Sequence, residues 1–191
     1  MTRVLSALAL LLAFAVASPV CAGFTLLQDF ALWQQASGPY TTLDFTGFPN
    51  NTFITDQYAD LGVTFLDGND VITGPSSLVF PLDGWGLDVN ESATMDFVSP
   101  QYSLGVHHPG ELRIKLYWQG SLIYASPPLP GSGVGFFGGV VSTVPFDRAV
   151  IMSPFVNQLD VDNIYFGVPA PAGAVVLALG VPALRPRRRR I

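Results

Sequence analysis

The sequence is poor in cysteine, in basic residues and in long apolar runs, and each scarcity excludes a class of protein. Its one cysteine, Cys21, lies near the amino terminus. The rest of the chain therefore forms no disulfide and offers no thiol nucleophile. The two main apolar stretches, residues 4–17 and 172–184, are shorter than the roughly 20 residues that an ordinary membrane-spanning helix needs.

Basic side chains are scarce between residues 23 and 167, where the sequence has only Arg113, Lys115 and Arg148. All fourteen acidic residues lie in the same region, so its net charge is 3 − 14 = −11 with the histidines counted as neutral. Binding to nucleic acid or to an anionic membrane surface relies on clustered lysine and arginine. The composition therefore argues against both partners, and it leaves cation binding or solubility as roles for the carboxylates.

The amino terminus has the three parts of a secretory signal peptide. A basic start that contains Arg3 precedes the apolar run of residues 4–17, and Val20-Cys21-Ala22 has the residue sizes of a cleavage site. We therefore expect signal peptidase to cut after Ala22, which makes residues 1–22 the signal and removes Cys21. Lipidation of Cys21 is the alternative, but a lipobox needs a small residue where Val20 stands.

Residues 23–167 have the size of one domain, and their pattern predicts an all-β sandwich with one short helix. Asp29 is a suitable N-cap for a helix from Phe30 to Ala36. Short alternating runs then follow, separated by glycine and proline. The predicted strands are Thr41–Thr46, Gly62–Leu66, Ala93–Val98, Ser103–His107, Leu112–Trp118, Ser121–Ala125, Val134–Val141, Arg148–Met152 and Asn157–Phe166, with a hairpin turn at Gln119-Gly120.

The carboxyl terminus, residues 168–191, combines a proline hinge, an apolar segment and a cluster of arginines. Arginines beside a membrane segment are held on the cytoplasmic side, and prolines keep the hinge extended, which is a shape that a protease can grip. This order resembles the PEP-CTERM sorting signal, with Ala170 where the family's name has glutamate. The residues that carry the resemblance are Val168, Pro169, Ala170, Pro171, Arg185, Arg187, Arg188, Arg189 and Arg190.

The resemblance implies a route for the protein after export. The apolar segment would form a hydrophobic sorting helix that anchors the chain transiently in the inner membrane. An exosortase-like protease would then cut in the hinge and release the body to the cell surface or the extracellular matrix. The alternative is an envelope structural protein whose tail is never cut and whose anchor is permanent.

Two short acidic segments, Asp56–Phe65 and Leu159–Phe166, resemble parts of jelly-roll, carbohydrate-binding-like domains. The resemblance implies a jelly-roll-like sandwich that binds polysaccharide or another matrix component without catalysis. Trp85 lies in a glycine-rich loop, where we expect an exposed ring able to stack on a sugar. Trp118 lies on the apolar face of its predicted strand, where we expect a core position.

Calcium is the one candidate cofactor. Asp160 and Asp162 are two residues apart, so on one strand they share a face, and Asp44 from an early strand would complete a structural Ca²⁺ site. Asp67 and Asp70 offer further oxygen ligands in a loop. A solvated strand face and ordinary turn chemistry explain the same residues without a metal, so the sequence requires no cofactor.

No residue pattern in the sequence identifies a catalytic site. His107 and His108 are adjacent and would point to opposite faces of a strand, so we expect exposed turn residues rather than a metal clasp. The nucleophile motif Gly-x-Ser-x-Gly does not occur in the body. Asp96 and Glu111 could serve as the carboxylate pair of a glycosidase, so a secreted carbohydrate-active enzyme is the alternative to a binding protein.

Overall fold

The computed structural model of the protein describes residues 23–66, 70–76, 78–131, 133, 135–155 and 158–168. In these ranges the chain forms an α-helix, α1 (Phe30–Ser37), a short 3₁₀ helix (Ala59–Leu61) and twelve strands. The strands are β1 (Phe24–Leu27), β2 (Thr41–Leu43), β3 (Thr52–Phe53), β4 (Val63–Phe65), β5 (Val71–Thr73), β6 (Gly86–Asn90), β7 (Ser92–His108), β8 (Arg113–Trp118), β9 (Ser121–Ala125), β10 (Phe136–Met152), β11 (Gln158–Val161) and β12 (Ile164–Gly167).

The strands form two antiparallel sheets that face each other. The larger sheet has the order β2-β12-β7-β10-β8-β9, with β1 added to β10 and β4 added to β7. The smaller sheet has the order β11-β6-β5-β3. Alternate residues of both sheets point inward and are fully buried, as Leu104, Ile114 and Leu87 show. The predicted all-β sandwich with one short helix is therefore confirmed.

Helix α1 covers the outer face of the larger sheet. Its N-cap is as predicted, because the Asp29 carboxylate accepts a hydrogen bond from the Leu32 backbone N–H at 2.9 Å. Trp33 points into the sheet and is fully buried against Phe137 and Tyr165. The sandwich thus has a main core between its sheets and a second, aromatic core beneath the helix.

Two long strands replace four of the predicted short ones. The segments Ala93–Val98 and Ser103–His107 are both parts of β7, which pairs along its length with β10. The register of this pair shifts between Val141 and Phe146, so an irregularity in the ladder stands where the sequence suggested a strand end. The predicted hairpin is confirmed, and its turn residue Gln119 has a positive φ of 49°.

The predicted strand Asn157–Phe166 is instead two strands in different sheets. β11 pairs with β6 in the smaller sheet, whereas β12 lies between β2 and β7 in the larger one. Asp162 and Asn163 form the link that crosses from one sheet to the other. Since the chain leaves β11 before Asp162, the alternation that would place Asp160 and Asp162 on one face does not extend across this link.

Candidate functional site

A cleft of about 380 Å³ lies among the loops beyond β7 and β10. Three connections build it: the turn between β7 and β8, the segment before β10, and the segment between β10 and β11. Two of its lining residues are glycines whose backbones lie in close contact, because a Cβ atom on Gly131 would lie only 2.0 Å from the Gly110 carbonyl oxygen. The lining residues are Pro109, Gly110, Glu111, Gly131, Ser153, Phe155, Leu159 and Asp160.

Phe155 is the aromatic residue of this cleft, and 69% of its surface is exposed. It follows the end of β10, and its backbone N–H donates to the Ser153 hydroxyl at 3.5 Å. A phenyl ring with so much exposed surface contributes little to the core. Its position in a concave site suits stacking against an apolar ligand face.

Two carboxylates accompany the ring. Glu111 is exposed, whereas Asp160 is half-buried on β11 directly opposite Asp88 of β6. Burial raises the pKa of Asp160, and the negative charge of Asp88 raises it further. The cleft therefore offers oxygen acceptors to a ligand hydroxyl or amine, and none of its lining residues is basic.

Trp85 is less exposed than its glycine-rich loop predicts. The indole is half-buried and packs against the main core, and a Cβ atom on Gly74 would lie 2.7 Å from its Cε3 atom. The loop is held by the Asp83 carboxylate, which accepts a hydrogen bond from the Trp85 N–H at 2.9 Å. A role for Trp85 in ligand contact stays a prediction.

Trp118 is also half-buried, although its strand pattern predicts the core. It lines a groove of about 410 Å³ together with Phe24, Ile123, Val144 and Pro145. The groove lies beside the irregular part of β10, between Val141 and Phe146. The indole is therefore in contact with both the sheet and solvent.

The structure does not unite the carboxylates that the sequence suggested for calcium. Among the described residues, no three histidine, cysteine or acidic side chains lie close enough together to hold a metal ion. Asp44 is exposed and accepts hydrogen bonds from Thr46, and the Asp70 carboxylate accepts one from the Asn90 N–H. Asp67 lies outside the described residues, so calcium binding by the loop of Asp67 and Asp70 stays a prediction.

Asp162 is almost completely buried in the link between β11 and β12. One carboxylate oxygen, Oδ2, accepts a hydrogen bond from the Leu82 N–H at 3.3 Å, while Oδ1 has no partner. Burial raises the pKa of Asp162 to about 6, and the charge of Asp83 contributes to the rise. With its side-chain amide oriented to place nitrogen toward these acceptors, Asn163 donates hydrogen bonds to the Asp83 carboxylate and to the Asp162 carbonyl.

The prediction of exposed histidines is wrong, because His107 and His108 are both buried. They end β7, but the link at Asp162 and Asn163 covers the strand and hydrogen-bonds to the His107 backbone. The His107 ring lies 3.0 Å from the Tyr165 hydroxyl, and the His108 ring is hydrogen-bonded to the Gly110 carbonyl. Both rings therefore belong to the packing of the sandwich.

The candidate pair Asp96 and Glu111 is not assembled as a catalytic site. Asp96 forms a two-pronged ion pair with Arg148, with distances of 2.6 Å to Nε and 2.9 Å to Nη2. Glu111 lies instead in the Phe155 cleft with Asp160.

The sequence analysis did not identify Phe155, and the only available signal was an aromatic residue among turn formers between two strands.

The described residues end at Val168, which follows β12 and is exposed. The other predicted processing residues lie outside the described ranges. They are Ala22, Pro169, Ala170, Pro171, Arg185, Arg187, Arg188, Arg189 and Arg190. Within the part of the chain that the structure describes, no helix has the length and apolar character needed to cross a membrane.

No protein-family model matches the chain, and no curated protein sequence matches it significantly. Solved structures that match this chain include an exo-β-1,3-galactanase from Phanerochaete chrysosporium, with 11% identity and a TM-score of 0.38 over 68% of this chain and 29% of that one. A mutant of the family 29 carbohydrate-binding module CBM29-2 has 12% identity and a TM-score of 0.37 over 69% and 94%. A CBM32-2 module bound to GalNAc has 13% identity and a TM-score of 0.34 over 77% and 98%.

Proposed function

We propose that the protein is an exported, non-catalytic β-sandwich that binds polysaccharide through the Phe155 cleft. The observation that carries this proposal is the exposed phenyl ring in a concave site with carboxylate acceptors. One face of a sugar ring presents C–H groups that pack on an aromatic ring, and its hydroxyls donate to oxygen acceptors. The cleft supplies both kinds of contact within one space.

The charge of the body narrows the class of polysaccharide. A cleft with two acidic residues and no basic one, on a body of net charge −11, repels uronic acids and sulfated sugars. Neutral glycans, or glycans with free amines, are therefore the ligands that we expect. Signal peptidase would act at Ala22 and an exosortase-like protease at the hinge, so that binding takes place at the cell surface or in the extracellular matrix.

This proposal is tested by measuring the affinity of the protein for neutral, amine-bearing and acidic polysaccharides. Phe155→Ala is the test variant. Loss of a stacked ring costs about 1–3 kcal/mol in the comparable case of nucleic-acid bases, so affinity should fall about tenfold or more. Phe53→Ala is the matched control, because Phe53 is also an exposed phenylalanine, with 58% of its surface accessible. Equal binding by both variants would remove the cleft from the proposal.

Trp85→Ala tests the ligand contact that the sequence suggests. Because Trp85 packs on the core, this variant is also expected to lower the unfolding temperature, which Phe155→Ala is not. A loss of binding by folded Trp85→Ala with retained binding by Phe155→Ala would place the ligand at the Trp85 loop instead.

A second candidate function, glycoside hydrolysis, is favoured by one observation. Glu111 and Asp160 line the same cleft, and the raised pKa of Asp160 is what a general acid requires. Release of reducing ends from a bound glycan, abolished in Asp160→Asn with binding retained, would support an enzyme. Binding without release supports the non-catalytic proposal.

A further inference from the structure

Several oxygen atoms meet where the link between β11 and β12 packs on the loop before β6. The Asp162 carboxylate of the link accepts a hydrogen bond from the Leu82 N–H of the loop through Oδ2. The next loop residue, Asp83, is exposed, and its Oδ2 atom lies 3.2 Å from the Asn163 side-chain amide. The same amide lies 3.1 Å from the Asp162 carbonyl oxygen. A carboxylate, an amide and a carbonyl are therefore in mutual contact beside an exposed loop.

Asp162 adds a second carboxylate, and one of its oxygens has no hydrogen-bond partner among the described residues. The residue is only 1% exposed, and the unpartnered atom, Oδ1, is buried. Because Oδ2 of the same carboxylate contacts the Leu82 N–H, Oδ1 lies at the same junction of link and loop. A buried anionic oxygen without a donor or a cation costs free energy. A ligand of positive charge at this junction would remove that cost.

No basic side chain of the sandwich compensates these two carboxylates. Arg148 forms its ion pair with Asp96. Arg113 and Lys115 belong to β8, which is separated from β12 by β7 and β10 in the larger sheet. Neighbouring strands lie about 4.8 Å apart, so these two side chains start about 14 Å from the link. The compensating charge must therefore come from outside the chain.

The Asn163 amide can present either of its two terminal atoms to the other groups. With nitrogen there, it donates to the Asp83 carboxylate and to the Asp162 carbonyl. A half-turn of the amide places oxygen at the same distances, and three oxygens then converge with no hydrogen atom between them. Such oxygens repel one another unless a cation lies among them. Carboxylate, amide and carbonyl oxygens are the ligands that calcium takes.

We propose that Asp83, Asp162 and Asn163 bind a calcium ion, which joins the loop before β6 to the link between β11 and β12. The side-chain oxygens of these residues and the Asp162 carbonyl are the protein ligands, and water completes the roughly six to eight that calcium takes. Magnesium fits less well, because it requires near-octahedral geometry. The site differs from the predicted set of Asp44, Asp160 and Asp162, which the structure does not unite. It has two carboxylates, so it does not need the third one that is lacking nearby in the described part of the chain.

The ion would also order the loop that carries Trp85. One oxygen of Asp83, Oδ2, faces Asn163, and the other, Oδ1, accepts a hydrogen bond from the Trp85 N–H at 2.9 Å. Calcium that holds this carboxylate therefore holds the turn at Trp85 as well. Hydrogen exchange at the Leu82 and Trp85 amides should be slower in calcium than in a chelator, because both amides donate to ligands of the ion.

Titration of the exported, chelator-treated protein with calcium chloride tests the proposal. The parent should bind one ion per chain, and its unfolding temperature should rise with the calcium concentration. Asp83→Asn removes one charge but keeps an oxygen for the Trp85 N–H, so it should raise the dissociation constant about tenfold or more. Asp147→Asn is the matched control, because the Asp147 carboxylate also accepts a backbone hydrogen bond, from Gln119 at 2.9 Å. It should bind calcium as the parent does.

Asp162→Asn separates a calcium ligand from a carboxylate that is only buried. The variant keeps an acceptor for the Leu82 N–H and removes the buried charge, so in the chelator it should be at least as stable as the parent. Calcium should no longer raise its unfolding temperature. A parent that binds no calcium and melts equally in calcium and chelator would overturn the proposal. So would an Asp162→Asn variant that calcium stabilises as much as the parent, or equal affinities of the parent and Asp83→Asn.

Discussion

At the scale of single residues, the buried histidines give the molecule a dependence on pH. Burial lowers the pKa of His107 to about 4, and the neighbouring His108, whose own pKa is also lowered by burial, adds to the effect. Between about pH 6.5 and pH 4, His107 is protonated in the unfolded chain but stays neutral in the folded protein. The stability from His107 is therefore complete above about pH 6.5 and is lost as the pH falls toward 4.

We expect His107→Leu to flatten this loss. In the parent, the free energy of unfolding should fall between about pH 6.5 and pH 4, and the variant should reduce the slope by up to about 1.4 kcal/mol per pH unit. Urea unfolding at several pH values measures the slope. Tyr165→Phe is the control, because it removes the hydroxyl beside His107 and keeps both imidazoles. An unchanged slope in His107→Leu would contradict the assignment.

The pKa of Asp162 is shifted in the opposite direction to that of His107. Its effect on the free energy of unfolding therefore partly offsets the effect of the histidines. Its pKa is raised to about 6, so the folded chain binds a proton that the unfolded chain releases above about pH 4. The stability linked to this proton is complete below that pH and is lost as the pH rises through 6. The pH dependence of stability therefore includes opposing contributions from His107 and Asp162, whose backbones are joined by a hydrogen bond.

Neither histidine burial nor Asp162 burial was predictable from local sequence. Adjacent polar residues before Pro109-Gly110 have the pattern of an exposed turn. They are buried by the link at Asp162 and Asn163, which lies more than fifty residues further along the chain. The Asp162 N–H donates a hydrogen bond to the His107 carbonyl, and the Asn163 carbonyl accepts one from the His107 N–H. The N-cap Asp29 was predictable because its partner, Leu32, is only three residues away.

At the scale of elements, glycines in the sheet beneath α1 leave the space that the helix's Trp33 side chain occupies. A Cβ atom on Gly139 of β10 would lie 2.4 Å from Cδ1 of Trp33, and one on Gly105 of β7 would lie 3.1 Å from its Cε2. The indole therefore occupies space that any side chain at these positions would fill. The helix and two central strands are matched by shape rather than by charge.

We expect Gly139→Ala to destabilise the protein by about 1–3 kcal/mol, because Trp33 cannot withdraw without exposing the aromatic core beneath α1. The free energy of unfolding measures the change, and the tryptophan emission, to which Trp33, Trp85 and Trp118 all contribute, should shift to longer wavelength as the Trp33 ring is displaced. Gly110→Ala is the control, since its added Cβ would lie no closer than 3.7 Å to Leu159. Equal stability of both variants would contradict this packing account.

Element type was readable from sequence for α1 and for eight strands, whereas strand length was not, and β1, β3, β5 and β6 were not predicted. Alternation identified β8 and its hairpin with β9, because both are short and their turn residues adopt positive φ. The same reading divided β7 into two strands, one that ended at Val98 and one that began at Ser103. In the structure the strand is continuous. The pairing with β10 shifts its register on both sides of Phe146, which lies opposite Gln101, and the ladder continues beyond that irregularity.

At the scale of the whole molecule, the predicted processing has a direct test. If signal peptidase cuts after Ala22 and a second protease cuts in the hinge, the mature protein begins at Gly23 and ends near residue 170. We expect intact-mass analysis of the exported protein to find this product. Replacement of the five arginines after residue 184 by serine should abolish the second cut, because the tail loses its cytoplasmic stop. A product that still ends at Ile191 would contradict processing.

The exit of the chain from the sandwich also determines how the fold bears load. β12 has hydrogen-bonded neighbours on both sides, β2 and β7, and the chain leaves the sheet directly after it at Val168. A pull on residue 168 that is directed along this strand would strain both ladders together in shear instead of opening one hydrogen bond at a time. Any tether attached there, whether a membrane anchor or a covalent link to a surface, would therefore meet a mechanically stiff attachment point.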